Sequence, residues 1–165
     1  MNTALEDALK NFYVEGMLSH MEAHPEDFEK LLKMAVENED YSWRAAWLMF
    51  LSMEKNDKRI NSEHVRNIIE GLASKKDGHQ RELLKVLSNI EIGEEHESIL
   101  FDQCATIWEK VDKKPSVRST AFKVMIKIAQ KYPELFHEIQ FFAQSHYLDS
   151  LSPGIKQSVV KMIKK

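Results

Sequence analysis

The sequence predicts an all-α protein, a right-handed superhelix of about four stacked helix pairs behind an N-terminal helix. Three observations carry that prediction. Arg44, Arg81, Arg118 and Lys156 recur at steps of 37, 37 and 38 residues, each near the start of a similar apolar segment: SWRAAWLMFL, HQRELLKVLS, SVRSTAFKVM and GIKQSVVKMI. A fixed period of this size marks stacked helical hairpins, because a single hairpin cannot bury its apolar face alone. The phase also holds beyond the cations. Trp47, Leu84, Ala121 and Val159 stand three residues after them, and Phe50, Leu87, Val124 and Met162 stand six after; all are apolar and at the spacing of one helix face. Finally, only five Gly and four Pro leave little room for the turns of an all-β fold.

Each element follows from local pattern. A first helix over about 3–22 places Leu5, Leu9 and Phe12 on one face, with Tyr13 beside them. The first pair, about 24–56, opens at Pro25 with acidic residues next to the positive helix end. Phe28, Leu31, Leu32 and Ala35 form its apolar face, Asn38–Ser42 its turn and Trp43–Lys55 its second helix. The second pair, about 61–92, has Ser62 as the expected N-cap and Val65, Ile68, Ile69 and Leu72 at helical spacing. Asp77–Gly78 reads as its turn, and Gly93 as the stop of a helix carrying Leu83, Leu84 and Leu87. The third pair, about 95–131, runs through Ile99, Leu100, Cys104, Ile107 and Trp108 to a turn at Val111–Pro115. The fourth, about 134–165, carries Leu135, Phe136, Ile139 and Phe142, turns at Ser150–Gly154 and ends in a last helix.

A chain of 165 residues is read as a single repeat domain. With 43% hydrophobic and 30% charged residues it is ordinary for a soluble protein and buries enough surface to fold without a disulfide or metal. Cys104 is the only cysteine, which points to a reducing, cytoplasmic setting. The start, MNTALEDALKNFYVEGM, lacks the basic and apolar regions of a secretory signal. The net charge of −3 hides a mild polarity: residues 1–82 hold 11 Lys/Arg and 16 Asp/Glu, residues 83–165 hold 12 and 10.

The period and the segment DKKPSVRSTAF resemble HEAT repeats, whose second helix opens with Asp, Pro, Val-Arg and then Ala. Asp112, Pro115, Val117, Arg118 and Ala121 match that order. The first unit keeps Asp40 and Arg44, the second keeps Asp77 and Arg81 without the Pro, and the fourth has Lys156 for Arg. HEAT and armadillo arrays share these features, so the resemblance implies the solenoid rather than the subtype. It also implies that the second helices line a concave groove, and that the repeated Arg bonds the turn acid of its own or the next repeat.

Two surfaces are candidates for partner binding. On the second helices, Arg44, Arg81, Lys85, Arg118, Lys123, Lys127, Lys156 and Lys161 supply positive charge, heaviest in the C-terminal half; such a stripe suits an acidic peptide or a nucleic-acid backbone. The aromatic set Tyr41, Trp43, Trp47 and Phe50 is the other. Trp43, Trp47 and Phe50 share a helix face, and Trp43 occupies the place that Gln80 holds in the next unit, a place that tolerates exposure. Phe141 and Phe142 are adjacent, so one of them is expected outside.

Catalytic signals are absent: there is no Gly-rich phosphate loop, GxSxG elbow or HExxH. His20 and His24 share spacing but meet Pro25, so they read as surface histidines rather than ligands. Cys104 reads as a packed thiol, and Glu94–Glu95 as a polar turn. The expectation is a non-enzymatic protein-binding module or scaffold without metal or cofactor. Nucleic-acid binding or DNA repair is the alternative, and a homodimer through Val159, Val160, Met162 and Ile163 of the last helix would cap the stack.

Overall fold

A computed structural model describes residues 3–164, and within them helix follows helix without a strand. The chain groups into two compact units, Met1–Glu91 and Ile92–Lys165.

The first unit holds α1 (Ala4–Asn11), α2 (Val14–Ala23), α3 (Phe28–Val36), α4 (Ser42–Ser52), α5 (Ser62–Leu72) and α6 (Asp77–Ser88). The two helices of the first pair, α3 and α4, pack together, α3 also packs on α5, and α4 packs on α6. First helices thus meet first helices and second meet second. Of the predicted core, Leu31, Ala35, Ile68, Leu72, Leu83 and Leu84 are buried, whereas in α4 Leu48 and Met49 turn inward and the expected Trp47 and Phe50 are only half-buried.

The expected N-terminal helix is instead two. Thr3 caps α1 by accepting from the Glu6 N–H at 3.2 Å. The backbone is then extended at Phe12 and Tyr13 before α2 begins. The Arg44 guanidinium donates to the Leu9 and Phe12 carbonyls. In a continuing helix the N–H of Tyr13 would take the first of these, so an outside donor lets the helix stop there. Three smaller boundaries also move. Asn61, not Ser62, caps α5: its Oδ1 accepts from the His64 N–H at 2.9 Å while its own N–H donates to His64 Nδ1 at 3.0 Å. Asp77 and Gly78 form the first turn of α6, where the acid faces the positive helix end. Gly93 sits at the N-cap of the following helix, and α6 already ends at Ser88.

The second unit holds α7 (Glu94–Glu109), α8 (Pro115–Ala129), α9 (Phe136–Phe142), α10 (Ser145–Leu148) and α11 (Pro153–Ile163). Helix α8 is central and packs on α7, α9 and α11. Its apolar side, Val117, Ala121, Phe122, Val124 and Met125, is buried, as are Cys104 and Trp108 of α7 and Val159 of α11, and the Trp108 ring lies 4.6 Å from that of Phe122. Burial pushes the Cys104 thiol far up, so it is a packed hydrophobe. Trp108 donates from Nε1 to the Phe142 carbonyl at 2.9 Å, tying α7 to the end of α9. No helix among the described residues is long and apolar enough to cross a membrane.

Candidate protein-binding surface

The repeated cations take up different roles from those expected of a surface stripe. Arg118 is fully buried. Its Nε donates to the Trp108 carbonyl at 2.9 Å, Nη1 to Ser150 Oγ at 2.9 Å and Nη2 to the Tyr147 carbonyl at 2.7 Å, and the guanidinium lies 4.5 Å from the Trp108 ring. Desolvation lowers its pKa, yet a guanidinium stays charged at any working pH. Arg118 is therefore an internal peg. It holds the negative ends of two helices, where unpaired carbonyls and the helix dipole both favour a cation. Arg44 does the same for α1. Neither side chain bonds the turn acid that the resemblance implied, Asp112 or Asp40.

In the second pair other residues take over. Gln80 is buried and donates to the Leu72 carbonyl at 3.0 Å, closing the end of α5. Lys75 Nζ reaches the Val36 carbonyl at 2.5 Å, the Glu37 carbonyl at 3.1 Å and Asn38 Oδ1 at 2.8 Å, and His79 Nε2 donates to the Ala35 carbonyl at 2.6 Å, closing α3. Desolvation lowers the pKa of both Lys75 and His79. Arg81 pairs with its neighbour Glu82 at 3.2 Å, and Lys85 pairs with the same carboxylate at 3.1 Å while lying 4.8 Å over the Phe50 ring. In the second unit Lys123 and Lys161 are exposed, Lys127 is half-buried, and Lys156 stands 3.6 Å from Asp149 on the surface.

The aromatic candidates behave differently. Trp43 is 43% exposed and Trp47 half-buried, their rings nearly parallel at 16° with centroids 6.2 Å apart. Gln80, one repeat on from Trp43, is inside while Trp43 is outside, so the two equivalent places do not share an exposure. The elbow between α1 and α2 adds two residues that the continuous-helix reading had placed on a packed face. Tyr13 is 87% exposed and Phe12 44%. Tyr13, Val14, Glu15, Trp43, Arg44 and Trp47 line an open cleft of about 580 Å³. Arg44 belongs to both features: its side chain stops α1 so that Tyr13 turns outward, and its helix carries the two tryptophans. Large aromatic side chains gathered at a surface are the usual anchors of protein interfaces. In the second unit Phe141 is 52% exposed and Phe142 buried, as their adjacency required.

The second unit holds a further cleft that the sequence pattern does not announce. It is lined by carboxylates of α7 and of the Pro133–Phe142 segment, with Glu94 in the first turn of α7 rather than in a loop. The spacing Glu94, Glu97 and Glu134, Glu138 was its only signal.

No group of three or more histidine, cysteine or acidic side chains among the described residues is arranged to hold a metal. His20 instead pairs with Asp27 at 2.7 Å.

Among known proteins, the family model for the HEAT repeat domain matches residues 1–165, the whole chain. No curated protein and no solved structure gives a significant match.

Proposed function

The chain belongs to the HEAT repeat family, and from that premise we propose that it is a non-enzymatic protein-binding module. HEAT repeats are in general protein-interaction scaffolds. The observation that carries the proposal for this chain is the aromatic face of the first unit: Tyr13, Trp43 and Trp47 stand around one open cleft. Exposed tyrosine and tryptophan leave apolar area in water that a partner would cover, and rigid rings lose little entropy on docking. The groove expected from the family is, on this reading, the surface of the second helices of the first unit, α4 and α6. Trp43, Trp47 and Arg44 act in it as anchor, wall and support of the elbow. The partner is a protein or peptide, and the buried lone Cys104 suits a cytoplasmic setting.

Photo-crosslinking tests this. Benzoylphenylalanine placed at Tyr13 is expected to give discrete crosslinked species that disappear with Trp43→Ala. The same probe at Arg66, exposed on α5, is expected to give none. Equal products from both positions, or none from either, would remove the aromatic face.

The second reading, nucleic-acid binding, is favoured by the packing of α8 on α11 with Lys123, Lys156 and Lys161 exposed. It is weakened by Arg118, which is inside. A mobility shift at low salt that vanishes in Lys123→Glu/Lys127→Glu would support it, since phosphate binding is strongly salt-dependent. Assembly is a separate proposal. Val160, Met162 and Ile163 of the last helix are half-buried and offer a second copy an apolar contact. Light scattering giving twice the 19.3 kDa mass would bear it out, and a monomer would discard it.

A further inference from the structure

The acidic cleft of the second unit has a volume of about 360 Å³. Glu94, Glu97, Asp102, Glu134 and Glu138 surround it, and Phe101, Ile128, Leu135 and Tyr132 give it apolar walls. Carboxylates that face one space repel each other unless cations intervene. Among the described residues only Lys131 pairs with any of them, at 3.4 Å from Glu97 Oε1. Glu97 itself is 3% exposed, and its other oxygen, Oε2, has no hydrogen-bond partner among the described residues. A buried carboxylate oxygen without a donor is costly, so a donor entering the cleft is favoured by more than surface charge.

What kind of cation fits is set by the geometry. No three of these acids approach closely enough to hold a metal ion; they ring a space instead of converging on a point. The volume is at the small end of ligand pockets. The walls combine apolar and aromatic surface with a carboxylate rim. That pairing suits an aliphatic stem ending in a spread positive charge, with the stem on Leu135 and Ile128 and the charge among the carboxylates beside the Tyr132 and Phe101 rings. Supporting this, the Tyr132 phenol is pushed up, first by desolvation and then by the charges of Glu97 and Glu94.

We propose that this cleft receives an arginine or lysine side chain of a partner protein. The inference deepens the protein-binding reading and gives the second unit its own contact, of opposite charge preference to the basic stripe expected from the sequence.

The test is an NMR titration of the full chain with the capped tripeptide Gly-Arg-Gly, its lysine counterpart, and the same peptide carrying citrulline, the neutral isostere of arginine. The arginine peptide is expected to give saturable shifts confined to residues 94–102 and 128–138, with affinity at least about tenfold above that of the citrulline peptide. Glu134→Gln/Glu138→Gln, both exposed positions, is expected to weaken binding about fivefold or more with the rest of the spectrum unchanged. Glu97→Gln is expected to weaken it further. Absence of saturable shifts up to roughly 10 mM peptide, equal binding of the citrulline peptide, or unchanged affinity in the Glu134/Glu138 variant would overturn the proposal. Putrescine binding more tightly than the arginine peptide would overturn its assignment to a protein side chain. Tyr13 and Trp43 lie in the other unit, so failure here leaves the crosslinking result standing, and failure there leaves this titration readable.

Discussion

Arg118 donates from all three of its guanidinium nitrogens inside the protein, and nothing in its sequence position separates it from a surface cation. The difference lies in what it meets: carbonyls at helix ends, which have no partner of their own. Asp57 is a second residue whose charge works inward. It is buried in the loop between α4 and α5 and accepts from the backbone N–H groups of Glu54 and Arg59 at 3.0 Å and from Arg59 Nη2 at 2.8 Å. The Arg59 side chain, above all, holds its carboxyl well below the usual range, and desolvation opposes this only in part. The unfolded carboxyl takes its proton near pH ~4 and the folded one only at much lower pH. Its stabilisation is therefore complete above pH ~4 and is lost as pH falls towards the folded value. His79 acts earlier. Burial lowers its pKa, so below about pH 6.5 the unfolded chain binds the proton first and stability declines. Thermal melts across pH are expected to show a decline starting below about pH 6.5 that is missing in His79→Gln. They are expected to steepen below about pH 4, less so in Asp57→Asn. A wild-type curve that stays level down to about pH 5 would contradict the role of His79.

At the scale of elements, helix ends are closed by side chains that come from other parts of the fold. Arg44 on α4 closes α1, Lys75 beyond the end of α5 and His79 on α6 close α3, Gln80 on α6 closes α5, and Arg118 on α8 closes α7 and α10. The elbow at Phe12 and Tyr13 depends on one such bond pair. Arg44→Met is expected to leave α4 folded but to speed amide exchange in residues 12–17 by about tenfold or more, because local opening then lacks its opposing bonds. Unchanged exchange would mean that packing alone holds the elbow. The apolar layers carry the larger share of stability. Leu84 is wholly buried in α6, and Leu84→Ala is expected to cost roughly 2–5 kcal/mol in chemical denaturation through the cavity it leaves. A neutral result would refute the core assignment.

At the scale of the molecule, the period gave the helix pairs because burial must repeat when structural units repeat. Leu84, Leu87, Ala121, Val124 and Val159 are buried where the period places them, while Trp47, Phe50 and Met162, at the same phase, are half-buried. Periodicity fixes relative faces only. It could not tell that Gln80 turns inward where Trp43 turns outward, since each choice depends on whether a carbonyl from another helix lies within reach. The N-terminal segment misled for a similar reason: Leu5, Leu9 and Phe12 do keep helical spacing, and the donor that stops the helix comes from 32 to 35 residues away. The acidic cleft joins two segments that are too far apart in sequence for their charges to read as one site. The central claim is that the repeated cations include internal pegs, while the working face is aromatic. Urea denaturation of wild type, Arg118→Met and Lys123→Glu tests the first half most directly. Arg118→Met keeps an unbranched side chain but leaves two carbonyls without a donor, and is expected to lose about 2–4 kcal/mol; Lys123→Glu is expected to stay within about 0.5 kcal/mol of wild type. Arg118→Met as stable as wild type would contradict the account.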